Sequence, residues 1–449
     1  MIRQLSSDSR RCGPGVAFFA WRGEKADGRA HIPDAIARGA SAILWEKESF
    51  SWDSRWAIPN VAVENLKHKA GEFAHEFYGR PSERMWVCGV TGTNGKTSSS
   101  QWVAALLGEA AVLGTLGAGF PGKLAPLPNT TPDALELHSL LRQFLDQGAK
   151  RTAMEVSSHA LVQGRVNGVA FDCALFTNLS HDHLDYHGTM EAYGEAKARL
   201  FDMPGLQTAV INLDDDFGRK LATRLRGRLR VIGYGFSEKS SVKTDDYLSE
   251  KILPDTGQLG RFNRANALGV LGCLMASGLS RENAASLLEN LPPVPGRLQK
   301  VGDAPLVVVD YAHTPDALEN VLRTLQPVAR GQKGRLVVVF GAGGDRDPAK
   351  RPRMGEVAAR LADRVLVTSD NPRSEDPGKI IAEVAGSLKL DSEVDRRRAI
   401  EAAISQADLK DVVLIAGKGH EDYQEIAGKR LPFSDAAVAR GALAKRGAS

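Results

Sequence analysis

Hydrophobic positions along the chain fall into short runs separated by amphipathic stretches, the rhythm of strands alternating with helices. Val16 to Trp21 and Ala42 to Trp45 are short apolar runs, and Asn65 to Tyr78 carries helical spacing. Gly79, Arg80, Pro81 and Ser82 then break the pattern as a linker. A new apolar run, Met85 to Val90, leads straight into a glycine-rich loop and a helix-like stretch, Ser98 to Leu107. Further short runs alternate with helical patterns, which predicts a parallel α/β sheet. That region closes at the proline-dense segment 292–296. Beyond it lie four apolar runs, Pro305–Asp310, Leu336–Phe340, Arg364–Thr368 and Val412–Ala416, which end in DYAHTPD, GAGGDRD, SDNPR and GKGHED. Ligands bind beyond the carboxyl ends of such strands, so these four tips are candidates for one site. The pattern predicts an α/β protein of three domains, 1–82, 83–297 and 298–449, with no internal repeat.

At 449 residues the chain exceeds what one core usually supports, which agrees with several domains. No stretch approaches the roughly 18 consecutive apolar residues of a membrane span. The opening MIRQLSSDSRRCGPG has no apolar core for a signal peptide, so a cytoplasmic protein is expected. Cys12, Cys88, Cys173 and Cys273 are far apart in sequence and form no C-x-x-C pair. Neither zinc nor redox chemistry is suggested by them, and three read as reduced core residues. The net charge of +4 is spread along the chain. Arg396, Arg397 and Arg398 make the one conspicuous basic run and read as a solvated helix start. No basic face interleaved with aromatics points to nucleic acid.

The strongest motif is Gly92-Thr93-Asn94-Gly95-Lys96-Thr97, set between an apolar strand and a helix that opens with Ser98. Backbone N–H groups and a helix N-terminus there form a phosphate cradle, with Lys96 reaching terminal phosphates and the Thr97 hydroxyl placed for Mg²⁺. Val90 stands where the first glycine of the usual loop would be. Glu155 ends an apolar run, and residues 177–187 crowd three histidines and two aspartates together. These are candidate magnesium ligands. A zinc site or a solvated polar turn are the alternatives for the histidine crowd, though its spacing matches no zinc signature.

TGTNGKT, EVSSHAL, TNLSHDHLDYHG, AKARLF, GRFNRANA, PGR, DYAHTPDAL, GAGGDRD, DNPRSEDP and AGKGHEDY, in this order, resemble the Mur ligase family over nearly the whole chain. The resemblance implies a small N-terminal α/β domain that binds UDP, a central P-loop ATPase-like parallel sheet and a C-terminal Rossmann-like α/β domain. It implies a monomeric amide ligase using ATP and Mg²⁺ through an acyl phosphate. The pattern is that of members that add meso-2,6-diaminopimelate to UDP-N-acetylmuramoyl-L-alanyl-D-glutamate. By the same resemblance Lys96 contacts the β- and γ-phosphates, and Thr97, Glu155 and His183 organise one Mg²⁺. Lys197 matches a lysine carbamylated by CO₂ that holds a second Mg²⁺; from the residues alone it reads as an exposed helix lysine.

Asn263, Asn266, Arg297, Asp310 and His313 match positions that complete the nucleotide site, although a buried Asn or strand-end Asp equally caps a turn. The UDP side maps to Ser7, Ser9, Glu24, Lys25 and Ala26. The muramoyl peptide maps to Asn129, Thr130, Thr131, Ser157, Gln163 and Arg165. The acceptor amino acid maps to Arg346, Asp370, Asn371, Pro372, Arg373, Gly417 and Glu421. His181 stands where arginine is common, and the region from Phe236 to Gly260 is short, which suggests lost strands.

Three rival readings remain open. A lysine-adding ligase is disfavoured because Arg373 offers a guanidinium to a second carboxylate; the plain alternative for Arg373 is a surface pair with Glu375 or Asp376. A folate-elongating ligase would not need the UDP-side residues. A P-loop switch that binds ATP without ligation would not need the acceptor residues. The glycines Gly341, Gly343 and Gly344 lack the spacing of a dinucleotide fingerprint.

Overall fold

In a computed structural model, residues 1–23, 26–237 and 242–447 are described. By their contacts they form two compact units, one of residues 1–256 with 265–290 and one of 257–264 with 291–449.

The first unit holds two sheets. A four-stranded parallel sheet runs Gln4–Ser6, Val16–Ala20, Ala42–Glu46, Asn60–Val63. Helix Leu66–Phe77 packs on it through Leu66, Ala70 and Ala74. The nine-stranded sheet is ordered Asp246–Ser249, Arg230–Gly235, Thr208–Asn212, Cys173–Phe176, Trp86–Thr91, Arg151–Glu155, Ala110–Gly114, Gly117–Phe120, Lys123–Ala125. All its pairings are parallel except the last two, where a short meander turns the edge antiparallel. Its central strands are buried along their lengths, so they read as continuous apolar runs rather than alternating ones. The strand Asp246–Ser249 remains within the short region 236–260; residues 238–241 of that region lie outside the described ones.

The second unit carries a six-stranded sheet ordered Gln299–Asp303, Leu306–Asp310, Val412–Ala416, Leu336–Phe340, Arg364–Thr368, Asp391–Glu393. Only the first pair is antiparallel. Its four middle strands are the four apolar runs of the sequence, each buried by helices on both faces. Their carboxyl tips therefore emerge together at one edge of the layer, which is what a parallel sheet imposes.

The basic run 396–398 departs from the expected solvated helix start. Arg397 and Arg398 are exposed, but Arg396 is wholly buried and its Nε and Nη2 each donate 2.8 Å bonds to Asp435, also wholly buried. Arg396 shares a helical face with Ala399, Ile400 and Ala403, and that face is the core side. Its remaining donors reach the Ser369 and Ala416 carbonyls, at the ends of two site-bearing strands. Arg396→Met should leave the Asp435 carboxylate buried and unpaired and destabilise the fold by about 3–5 kcal/mol. Arg396→Met with Asp435→Leu should recover most of that loss, as read from urea unfolding midpoints.

Candidate active site

The phosphate loop is shaped by two glycines with no room for a side chain. At Gly92 (φ +146°) an added Cβ would overlap Thr177 Oγ1, and at Gly95 (φ +86°) it would overlap Asn266 Oδ1. Helix Lys96–Leu107 begins at Gly95, which has no side-chain oxygen to cap it. The first N–H groups of that helix point, with the positive end of its dipole, toward the loop, where an anion is favoured. The loop is pinned from outside: Thr93 N donates to Asn178 O at 2.9 Å, Asn94 N to Asn178 Oδ1 at 3.0 Å, and Thr177 Oγ1 to Asn94 O at 2.6 Å. Lys96 Nζ folds back on its own loop, 2.8 Å from the carbonyls of both Gly92 and Thr93.

Lys197 is not the exposed helix lysine that the residues alone suggested. It is 1% exposed, because the face of helix Met190–Ala198 that carries it also carries Tyr193 and Ala196 into the core. Its Nζ lies 4.1 Å from the Tyr193 ring and 2.9 Å from Gly92 O, the same oxygen that Lys96 uses. Burial, with Lys96 nearby, pushes its amine well below the ordinary lysine value.

Glu155 is the meeting point of the site. Thr97 Oγ1 donates to its Oε2 at 3.0 Å, Thr115 N to Oε1 at 2.7 Å and Thr115 Oγ1 to Oε2 at 3.1 Å. Thr115 Oγ1 also meets Thr130 Oγ1 at 3.2 Å. A continuous polar chain therefore joins the phosphate loop to Thr130. Next to it Thr131 Oγ1 donates to Glu155 O, Ser157 N donates to Thr131 Oγ1, and Arg165 bridges Thr131 O and Gln163. Asn129 lies exposed in the loop just before Thr130. Gly114 and Thr115 were missed in the sequence, although they stand at the tip of an apolar run; a Cβ on Gly114 would overlap Glu155 Oε1.

His183 sits in left-handed backbone (φ +52°), half-exposed, with burial holding its imidazole below the ordinary value. The histidine crowd is chiefly an aromatic stack: His159 lies 4.2 Å from Tyr186 and 4.9 Å from His183, and His187 pairs with Ser158 Oγ. Among the described residues it does not bring three His, Cys, Asp or Glu ligand atoms within 4.8 Å of one another. The fold instead brings together Cys88, Cys173 and Cys273, whose sulfur atoms lie within 4.8 Å of one another. Three thiolates around a divalent cation would leave net negative charge in an apolar core, so this trio reads as packed thiols.

Among the residues mapped to UDP by resemblance, Ser7 Oγ donates to Asp133 Oδ2, and Asp133 caps helix Ala134–Asp146; Ser9 is buried, and Ala26 lies in an exposed turn. Glu24 and Lys25 lie outside the described residues. Asn263 and Asn266 lie within the helix Arg261–Ala276, not in a turn. Asp310 does cap one, accepting from Leu298 N and Ala312 N. Arg297 stacks on Tyr311, and His313 Nδ1 bonds to Tyr311 O.

In the second unit the residues that the sequence resemblance maps to the acceptor amino acid lie around the strand tips. Asn371 Nδ2 donates to Glu421 Oε2 at 2.8 Å, and a Cβ on Gly417 would overlap Asp370 Oδ2. Arg373 makes no ion pair among the described residues; its Nη1 donates to Gly344 O at 2.6 Å. The surface pair with Glu375 is not formed, because buried Arg351 takes Glu375 and Glu383 and holds the Glu375 carboxyl down to about 2. Arg346 is exposed on the neighbouring loop.

Three Mur ligase family models match consecutive stretches: the catalytic domain over residues 1–78, the middle domain over 90–274 and the glutamate ligase domain over 296–419. The UDP-N-acetylmuramoyl-L-alanyl-D-glutamate–2,6-diaminopimelate ligase of Chromobacterium violaceum is 50% identical, over 98% of this chain and 94% of its own. That of Nitrosomonas europaea is 47% identical over 98% and 93%. The chain belongs to the Mur ligase family. A solved diaminopimelate ligase superposes with a TM-score of 0.69 at 36% identity, covering 99% of this chain and 95% of its own. The Thermotoga maritima MurF ligase in complex with ADP shares the fold, with a TM-score of 0.61 at 20% identity over 99% and 96%. For this Mur ligase, Gly114→Ala should keep the circular dichroism spectrum but displace the Glu155 carboxylate. Turnover should fall about 10²-fold, while Gly331→Ala, whose added Cβ meets nothing within 4 Å, should leave it unchanged.

Proposed function

We infer that this Mur ligase joins meso-2,6-diaminopimelate to UDP-N-acetylmuramoyl-L-alanyl-D-glutamate, forming ADP and phosphate, in peptidoglycan precursor synthesis. The observation that carries the reading is its end-to-end similarity to ligases of that activity. The geometry supports it, since a phosphate loop and a peptide-side loop meet at one carboxylate, Glu155. A cytoplasmic monomer with domains 1–82, 83–297 and 298–449 belongs to the same reading.

In this reading ATP phosphorylates the side-chain carboxylate of the D-glutamate, and the amine of diaminopimelate attacks the acyl phosphate and expels phosphate. Lys96 leaves the Gly92 and Thr93 carbonyls to neutralise the β- and γ-phosphates, and Gly92, Thr93, Asn94, Gly95 and Ser98 line the cradle. The Thr97 hydroxyl, the Glu155 carboxylate and the His183 imidazole fit Mg²⁺, because two of the three donors are hard oxygens. The ion, when bound, supplies positive charge against the phosphate oxygens. Asn263, Asn266, Arg297, Asp310 and His313 are the further residues that this reading assigns to the nucleotide. Ser7, Ser9, Glu24, Lys25, Ala26, Asn129, Thr130, Thr131, Ser157, Gln163 and Arg165 hold the UDP-muramoyl dipeptide. Arg346, Asp370, Asn371, Pro372, Arg373, Gly417 and Glu421 hold the amino acid.

The depressed pKa of Lys197 supports its carbamylation, since only a neutral amine adds to CO₂. The carbamate turns a cation into an oxygen ligand. Lys197→Ala should cost at least about 10²-fold in turnover, and Lys197→Arg should not restore it; an active alanine variant would refute the role.

Arg373, held by one carbonyl rather than by an acid, can grip a distal carboxylate bidentately. ADP release should require both the UDP-dipeptide and the amino acid, and kcat/KM should favour diaminopimelate over lysine by roughly 10⁴-fold. Arg373→Ala should abolish that preference while barely changing lysine use. Equal ATP turnover with and without the UDP-dipeptide would overturn the ligase reading.

A further inference from the structure

One buried cation stands among the acceptor residues without a part in the reading above. Lys418, in the loop after strand Val412–Ala416, is 0% exposed. Its Nζ donates to Asn371 Oδ1 at 3.0 Å and to Glu421 Oε2 at 2.9 Å. Those two partners are joined by the 2.8 Å bond from Asn371 Nδ2 to the same Glu421 Oε2. The Tyr423 ring lies 5.4 Å from the ammonium, and Glu425 N donates to Asn371 Oδ1 at 2.9 Å. The amide of Asn371 is therefore oriented at both ends. Its oxygen receives Lys418 and a backbone N–H, and its nitrogen points at Glu421.

We propose that Lys418 is a positioning residue for the incoming amino acid: it fixes Asn371 and Glu421 as one unit and sets which carboxylate oxygen of Glu421 meets the substrate. Both internal donors fall on Oε2. The other oxygen, Oε1, is not used by either and is the acceptor that remains for a substrate ammonium. A buried ammonium persists only where its bonds are satisfied, and here the satisfying groups are the acceptor residues themselves. Without Lys418, Asn371 loses a charge-assisted bond and Glu421 is free to rotate or to turn both oxygens outward. The site would then keep its parts and lose their arrangement. This rests on the functional reading above for the identity of the acceptor residues.

The test is steady-state kinetics on the full chain, varying each of the three substrates in turn, for the native protein, Lys418→Met and Lys418→Gln. Lys418→Met should raise KM for the amino acid about 10- to 100-fold, the worth of a charge-assisted hydrogen bond. KM for ATP and for the UDP-dipeptide should stay within about twofold of native, since a charge-assisted bond acts locally. Lys418→Gln, which keeps two N–H donors without the charge, should recover part of the amino-acid KM. A merely structural lysine would lower the melting temperature and degrade all three KM values together, and an unchanged amino-acid KM in Lys418→Met would equally overturn the proposal. Should Lys418→Met fail to fold, Lys418→Gln decides alone: its amino-acid KM must rise above native while the other two stay. If the native chain does not use diaminopimelate, the functional reading fails instead, and the KM split is measured with whichever amino acid it does use.

Discussion

A carboxylate has two oxygens, and at Glu155 three donors converge on them from the start of the phosphate-loop helix and from the tip of a neighbouring strand. That convergence depends on strand order. Trp86–Thr91 lies beside Arg151–Glu155, which lies beside Ala110–Gly114, all parallel, so their carboxyl ends open at one edge. Gly114 must lack a side chain because Glu155 occupies that space. The phosphate loop, the loop that carries Thr130 and Thr131, and the strand tips are held in one frame by this single acid. In a low-dielectric setting such a chain of bonds is either complete or costly, which favours one arrangement over many.

The second unit solves the same problem with buried cations instead of a buried acid. Arg351, Arg396 and Lys418 are each 1% exposed or less, and each ties loops that follow different strands. Arg351 holds the loop after Leu336–Phe340 to the one after Arg364–Thr368, through Gly343 O and Glu375. Arg396 reaches carbonyls at the ends of two strands while pairing with Asp435. Arginine suits the first two places because its planar fork donates several bonds at fixed angles. The hairpin Tyr423–Ile426 and Lys429–Pro432 adds a brace, since Arg373 N donates to Glu425 O and Ala427 N to Arg373 O.

The sheets of this protein were legible because buried parallel strands are written as uninterrupted apolar runs. Leu336–Phe340, Arg364–Thr368 and Val412–Ala416 appear in the structure with the bounds expected of them. Strands at sheet edges were not legible: Asn60–Val63, Asp391–Glu393 and Lys123–Ala125 are exposed along much of their length, so their composition is that of loops. The phosphate loop was readable because glycine, lysine and threonine are each required there by shape or charge. Burial of Lys197, Arg396 and Lys418 was unreadable, since a charged residue inside a helix or loop carries no mark of which way it faces. Thr115 escaped notice for the opposite reason. A lone threonine after an apolar run is common, and only the fold shows that it faces an acid.

Lys96 and Lys197 share the carbonyl oxygen of Gly92. A carbonyl oxygen has two lone pairs and can accept from both, but positive charge on Lys96 disfavours positive charge on its neighbour Lys197. An arriving anion must draw Lys96 off two carbonyls, so it has to replace both of those bonds. The resting bonds of Lys96 therefore have to be exchanged for those to an anion before the lysine can turn toward it. Burial comes first in keeping the Lys197 amine from charging, and the charge on Lys96 adds to it, so the two lysines of this loop are electrostatically linked.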